Sequence, residues 1–126
     1  MTTSVLVNRH REDREYFFDE GCFINELLNT EQDAAVSIAR AKVQVGETTR
    51  WHRLQGITER YLIVSGQGTA NIGDEDIELK AGDVVVIPAG VRQRITNSGE
   101  DMLEFLAICT PRFVVEAYED LEAGIS

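Results

Sequence analysis

The chain holds two histidines, His10 and His52, two cysteines, Cys22 and Cys109, and two prolines in 126 residues. Two imidazoles cannot build a three-histidine centre within one subunit. The cysteines have no Cys-x-x-Cys partner and no other metal-type spacing, which excludes a zinc ribbon. In a reducing compartment they read as free thiols in apolar strands. No apolar run approaches the roughly 20 residues that a membrane-spanning helix needs. Ser4 to Val7 is too short an apolar segment for a secretory leader, and charges follow at once, so a cytoplasmic location is expected. Basic residues are few as well: 12 Lys and Arg against 22 Asp and Glu give a net charge of −10. They alternate with acids, as in Arg9 to Glu15 and Glu59-Arg60, and do not cluster. That argues against nucleic-acid or anionic-membrane partners, and leaves the acidity to keep the protein soluble or to steer cations.

What the chain does have is short β-forming runs cut by glycine turns. Residues 1–20 form a charge-rich arm ending in Tyr16-Phe17-Phe18, aromatics that need a surface to cover on the domain or on a partner subunit. Residues 21–126 read as a single domain. Cys22 to Leu28 is strand-like. Ala34 to Val45 alternates with Ala39, Ala41, Val43 and Val45 on one face, against a competing helix over Asp33 to Lys42. Thr48 to Leu54 places Thr48, Arg50, His52 and Leu54 together, with Trp51 on the other face. Glu59 to Val64 and Thr69 to Ile72 follow, and Gly73-Asp74 is a two-residue hairpin signal. Val84 to Ile87 is an unbroken β-branched run, which predicts a buried strand. Val91 to Thr96 and Met102 to Cys109 are the last strands, and Phe113 to Leu121 reads as a short helical tail. Many short strands at regular spacing predict an all-β sandwich or barrel.

Two stretches stand out, Gly46 to Gly66 and Gly82 to Asn97. In the first, Gly46, His52, Leu54, Glu59 and Gly66 keep the spacing Gly-x5-His-x-His-x4-Glu-x6-Gly, with Leu54 at the second histidine position. In the second, Gly82, Pro88, Gly90, Gln93 and Asn97 keep Gly-x5-Pro-x-Gly-x2-His-x3-Asn, with Gln93 at the histidine position. The pair resembles the two motifs of the cupin superfamily, and about the middle half of the chain carries the likeness. The resemblance implies a double-stranded β-helix, the cupin jelly-roll barrel, to which the chain's own pattern adds the helical tail. It also implies a homodimer, because many cupins pair through their sheets.

Metal-binding cupins use the histidines and the glutamate of these motifs. The positions kept here therefore imply a degenerate metal set of His52, Glu59 and Gln93, able to offer imidazole, carboxylate and amide oxygen to iron, manganese, nickel or zinc. The alternative is a metal-free cluster in which Gln93 bridges His52 and Glu59. In that case His52 and Glu59 form a general-base pair and are the candidate catalytic residues. Arg50, Tyr61 and Gln93 are candidate substrate contacts. Arg50 suits an anionic small molecule or, equally, an ion pair with an acid. Three functions stay open: an oxygenase, isomerase or lyase acting on a small molecule, with or without metal; a non-catalytic ligand-binding or sensor protein; and an oligomerisation unit. His52 and Glu59 favour the first two, and whether the chain is an enzyme is left to the site.

Overall fold

The computed structural model describes residues 5–122. Residues 1–4 of the predicted arm and 123–126 of the predicted domain lie outside the described residues. Among the described residues, eleven strands form two antiparallel sheets. In spatial order, one sheet runs β1 (Tyr16–Phe18), β2 (Cys22–Leu28), β3 (Ser37–Val43), β10 (Leu103–Thr110), β5 (Thr58–Ser65) and β8 (Val84–Ile87). The other runs β11 (Tyr118–Asp120), β4 (His52–Leu54), β9 (Gln93–Asn97), β6 (Gln67–Ile72) and β7 (Glu75–Lys80). Among the described residues no helix is long and apolar enough to cross a membrane.

The core follows from strand alternation. β5 turns Glu59, Tyr61 and Ile63 inward, and β9 does the same with Gln93, Ile95 and Asn97. Val43, Ile63, Leu103 and Phe105 of the first sheet pack with Ala70, Ile72, Leu79 and Ile95 of the second. Each buried aliphatic side chain there contributes about 1.5–3 kcal/mol. Asn97 is buried among them for backbone reasons. Its amide donates to the Val43 and Asp101 carbonyls, each at 2.8 Å, and its oxygen accepts from the Gly99 amide at 3.0 Å. Residues 37–43 are strand, not helix, because β3 is paired on both sides, with β2 and β10. Tertiary pairing overrides the helix propensity of Ala, Arg and Lys.

Upstream of β1 the chain lies over the outer side of β2 and β3. Arg40 reaches Glu12 at 2.8 Å and Glu15 at 3.0 Å, Lys42 reaches Glu15 at 3.3 Å, and the Asn25 amide donates to the Arg11 carbonyl at 2.9 Å. Arg40, Lys42 and Glu15 are half-buried in these pairs, and only Glu12 is exposed.

Two expectations are corrected. The helical tail over Phe113–Leu121 is absent: a single 3-10 turn, Val115–Ala117, leads into β11, which pairs antiparallel with β4. The open edge of β4 takes up the segment's backbone groups, with Gln55 N–H donating to Ala117 O at 2.8 Å and Leu121 N–H to Trp51 O at 2.9 Å. Val84–Ile87 is a strand, but an edge strand, with Val84 58% and Val86 55% exposed and Ile87 buried. An unbroken apolar run does not distinguish a strand covered on both faces from one with an open outer face.

Gly66 closes the turn between β5 and β6 at φ 87°, and a Cβ there would lie 2.8 Å from the Met102 carbonyl oxygen. Backbone strain and a backbone clash act together, so Gly66→Ala is expected to lower unfolding stability by about 2 kcal/mol or more in a urea titration. Gly46, equally at positive φ but with open space around its Cβ direction, provides the comparison and is expected to cost less when replaced by alanine.

Candidate functional site

His52 opens β4 and faces Gln93 of β9 across the ladder, while Glu59 and Tyr61 enter from the inner face of β5. All four are buried. His52 Nδ1 lies 2.8 Å from the Arg50 carbonyl oxygen. A carbonyl can only accept, so Nδ1 carries the proton and the neutral ring presents a lone pair at Nε2. Nε2 lies 3.5 Å from a carboxylate oxygen of Glu20. The ring stacks on Tyr118 with centroids 5.1 Å apart and planes 19° from parallel. Burial pushes the imidazole pKa below its ordinary value, partly opposed by the Arg50 carbonyl and by Glu59.

Glu59 Oε2 faces the Cys109 thiol at 3.7 Å, and Oε1 is buried with no hydrogen-bond partner. Burial raises the Glu59 carboxyl to about 7, and Glu20 pushes in the same direction against the His52 imidazole and the nearby Gln93 amide. Burial raises Glu20 further, to about 8, with Asp120 adding repulsion. Tyr61 donates its hydroxyl to Gln93 Oε1 at 2.6 Å. Both thiols are pushed up by burial and stay protonated.

These groups sit at a cavity of about 460 Å³ whose walls include His52, Glu59, Tyr61 and Glu20 with Leu54 and Tyr118. Gln93 stands behind Tyr61, outside the cavity wall. Of the two readings open to Arg50, the structure has the ion pair: its Nε donates to Asp120 at 3.1 Å, away from the cavity wall. Regular strand begins at His52, so the alternation projected from Thr48 does not extend back to position 50. Trp51 points outward, as expected, with the guanidinium carbons of Arg92 and Arg94 5.0 and 4.4 Å from its ring centre.

Glu20 and Tyr118 were not singled out from the sequence. The aromatic run to Phe18, then Asp19-Glu20-Gly21, then the apolar run from Cys22 is a hairpin pattern, and Gly21 at φ 109° turns it. That pattern could have located the turn, but nothing local says that its glutamate is turned inward.

The predicted metal set does not fit this geometry. Gln93 Oε1 accepts from Tyr61, the second histidine position is Leu54, and only one imidazole is present. Among the described residues no group of three or more His, Cys, Asp or Glu side chains is placed to hold a metal ion.

Comparison with known proteins agrees with the motif spacing. The cupin domain family matches residues 39–109. An uncharacterized protein of Methanocaldococcus jannaschii is 31% identical over 124 residues, 97% of this chain and 99% of that one. An oxalate-binding protein of Thermotoga maritima is 37% identical over 70 residues, 56% of this chain and 58% of that one. Among solved structures, a nucleoside dehydratase of Streptomyces, bound to uridine, superposes with a TM-score of 0.76 at 19% identity, covering 96% of this chain and 92% of that one. A predicted oxalate decarboxylase of Thermotoga maritima superposes with a TM-score of 0.67 at 33% identity, covering 71% and 80%.

The two raised carboxyls fix the sign of a pH effect. Between their unfolded values near 4.5 and the folded values near 7 and 8, the native state binds more protons than the unfolded chain, so stability falls as pH rises. His52, with its lowered value, acts oppositely below about 6.5 and is neutral in both states above it. Melting temperature is therefore expected to fall from pH 6.5 to pH 8.5. Glu20→Gln and Glu59→Gln should each flatten that fall and raise the pH 8.5 midpoint by several degrees, since about 1 kcal/mol moves a domain of this size by about 4 °C. Parallel profiles for parent and variants would mean that neither carboxyl is protonated in the fold.

Proposed function

The chain belongs to the cupin family, and from that premise we propose that it is a small-molecule enzyme of the proton-transfer type, an isomerase or lyase. His52 is its base and Glu59 and Glu20 hold the exchangeable protons. The observation that carries the reading is the fixed tautomer of His52. The bond from Nδ1 to the Arg50 carbonyl aims an unprotonated Nε2 at a largely apolar cavity that also holds two carboxyls titrating near neutrality. A neutral imidazole beside a carboxyl that keeps its proton near neutral pH suits removal of a proton from carbon and delivery of a proton to a neighbouring oxygen. In an elimination the C–H electron pair forms the new double bond, the protonated oxygen leaves as water, and the imidazolium passes its proton to the carboxylate that gave one up. In an isomerisation the same two groups move protons without a leaving group. Tyr61, fixed by Gln93, lends a hydroxyl oxygen and an aromatic wall.

The nucleoside dehydratase with the same fold supports an elimination on this scaffold, and at 19% identity it does so through the fold alone. The names of the oxalate-related cupins point to a small acid as ligand. Arg50, one of whose two readings was to receive such an acid, is instead paired with Asp120.

The experiment is turnover of a panel of small hydroxylated and carbonyl compounds, in deuterated water so that proton exchange at carbon is read even without net reaction. For a substrate so found, His52→Gln, which can still donate to the Arg50 carbonyl, and Glu59→Gln are each expected to lower kcat/KM by about 100-fold or more while the protein stays folded. Full turnover in both variants would overturn the assignment. So would stoichiometric metal in the purified parent that disappears in His52→Ala. Stabilisation by a ligand with no exchange or turnover would make the protein a binding module.

A further inference from the structure

Strand alternation seals the inner face of the first sheet except at one place. On β3 the inward side chains Ser37, Ala41 and Val43 are buried, and on β10 so are Leu103, Phe105 and Cys109. Ala39 and Ala107 occupy inward positions in the same two series, yet both are only half-buried, and they lie directly opposite each other. Both strands are paired on each side, so this exposure comes from inside the fold and not from an open edge. The two alanines line the cavity of about 460 Å³ that also holds His52 and Glu59. Protein interiors are close-packed, so an interior floor that no side chain covers is room for a ligand. The side chains beside that floor have no hydrogen bond to offer. The Ser37 hydroxyl accepts from the Phe113 amide at 2.9 Å, and the Cys109 thiol faces Glu59 at 3.7 Å. Aromatic rings stand around it, Tyr61 with Phe105 at 4.4 Å and Phe18 with Tyr118 at 5.3 Å.

No group in the cavity is set to receive an ion. Burial keeps His52 neutral, and it holds the protons on Glu20 and Glu59 to near-neutral pH, so a cation meets no buried carboxylate there. Arg112, the guanidinium in the wall, is engaged by Asn29 Oδ1 at 2.8 Å and lies 3.9 Å from Glu31. An anion therefore meets no free guanidinium, and it has to pass the exposed Glu26 and Glu116. The polar groups gather instead around His52, which is 2% exposed and whose Nε2 faces the Glu20 carboxyl at 3.5 Å. We infer that the cavity takes an uncharged ring compound bearing a hydroxyl or carbonyl group, its ring on Ala39 and Ala107 and its oxygen beside His52 and Glu20. The ring loses apolar surface to the alanines and the aromatic walls, and one oxygen suffices for the polar end. Ala39 and Ala107 then set the size of ligand that fits. The inference rests on the reading of this cavity as the substrate site and names the class of molecule that fills it.

The test is a set of titrations at pH 6.5 with benzyl alcohol, benzoate, benzylammonium and oxalate, followed by NMR of protein isotope-labelled at its alanine methyl groups. Benzyl alcohol is expected to shift the Ala39 and Ala107 methyl signals. Benzoate and benzylammonium carry a charge into an apolar site and should bind at least about tenfold more weakly, and oxalate should leave both signals in place. Ala107→Val and Ala39→Val each add bulk to the open floor. Each is expected to keep or raise the melting temperature while weakening benzyl alcohol by about tenfold or more, and either serves alone if the other fails to fold. Leu106→Val, on the outer face of β10, should leave the affinity unchanged. Equal or tighter binding of either ring ion, tighter binding of oxalate, or full affinity for benzyl alcohol in both valine variants would overturn the inference. So would failure of both valine variants to fold, which would mean that the floor is packed, or no binding of any ring compound. Binding is read without turnover, so none of these outcomes decides whether His52 is a base. Ring binding with no proton exchange in any compound would overturn the base and leave the ligand class standing.

Discussion

A strand sends every second side chain inside whatever its polarity, and β4, β5 and β9 between them drive His52, Glu59, Tyr61 and Gln93 into one desolvated region. Burying polar groups is costly unless each finds a partner or gives up its charge, and each group meets that demand differently. His52 stays neutral and ties one nitrogen to a carbonyl. Tyr61 and Gln93 satisfy each other. Glu59 and Glu20 hold protons to far higher pH than a carboxyl in water. One oxygen of Glu59 is left over, so the chemistry of the site is what remains once the interior has settled its polar groups.

Much of the fold was legible because its signals are local. Turn glycines at 46, 66, 73, 82 and 90 all adopt positive φ, and the alternating runs between them become β5, β6 and β9 close to the expected limits. The convergence of His52 and Glu59 was legible from motif spacing for the same reason. What escaped depends on pairing between distant segments. Residues 118–120 become strand because the edge of β4 is open to them, a fact that no window around Tyr118 contains. Glu20 looks like any acidic turn residue until β1 and β2 carry it over the cavity. Arg50 was placed inside by extending a strand two residues beyond its start.

The cupin match spans residues 39–109, yet Phe18, Glu20 and Tyr118, which shape the cavity around His52, lie outside it. The shared framework supplies the imidazole, Glu59 and the two sheets, and the flanking segments supply the second carboxyl and much of the aromatic wall. Ligand class can diverge among relatives that superpose well in this way, because the segments that read the ligand are not those that define the fold. The leucine at position 54 works in the same direction, replacing a donor with an apolar surface.

Trp51 is the single tryptophan of the chain, and it sits immediately before His52 with its ring beneath Arg92 and Arg94. Its backbone carbonyl accepts from Leu121 at 2.9 Å just beyond β11, the strand that carries Tyr118 onto the His52 ring. Any shift of β4 or β11 that accompanies occupation of the cavity is transmitted to an indole in contact with two cations. The protein thus carries a built-in optical gauge: its intrinsic fluorescence reports on the far side of the strand from which the imidazole looks inward.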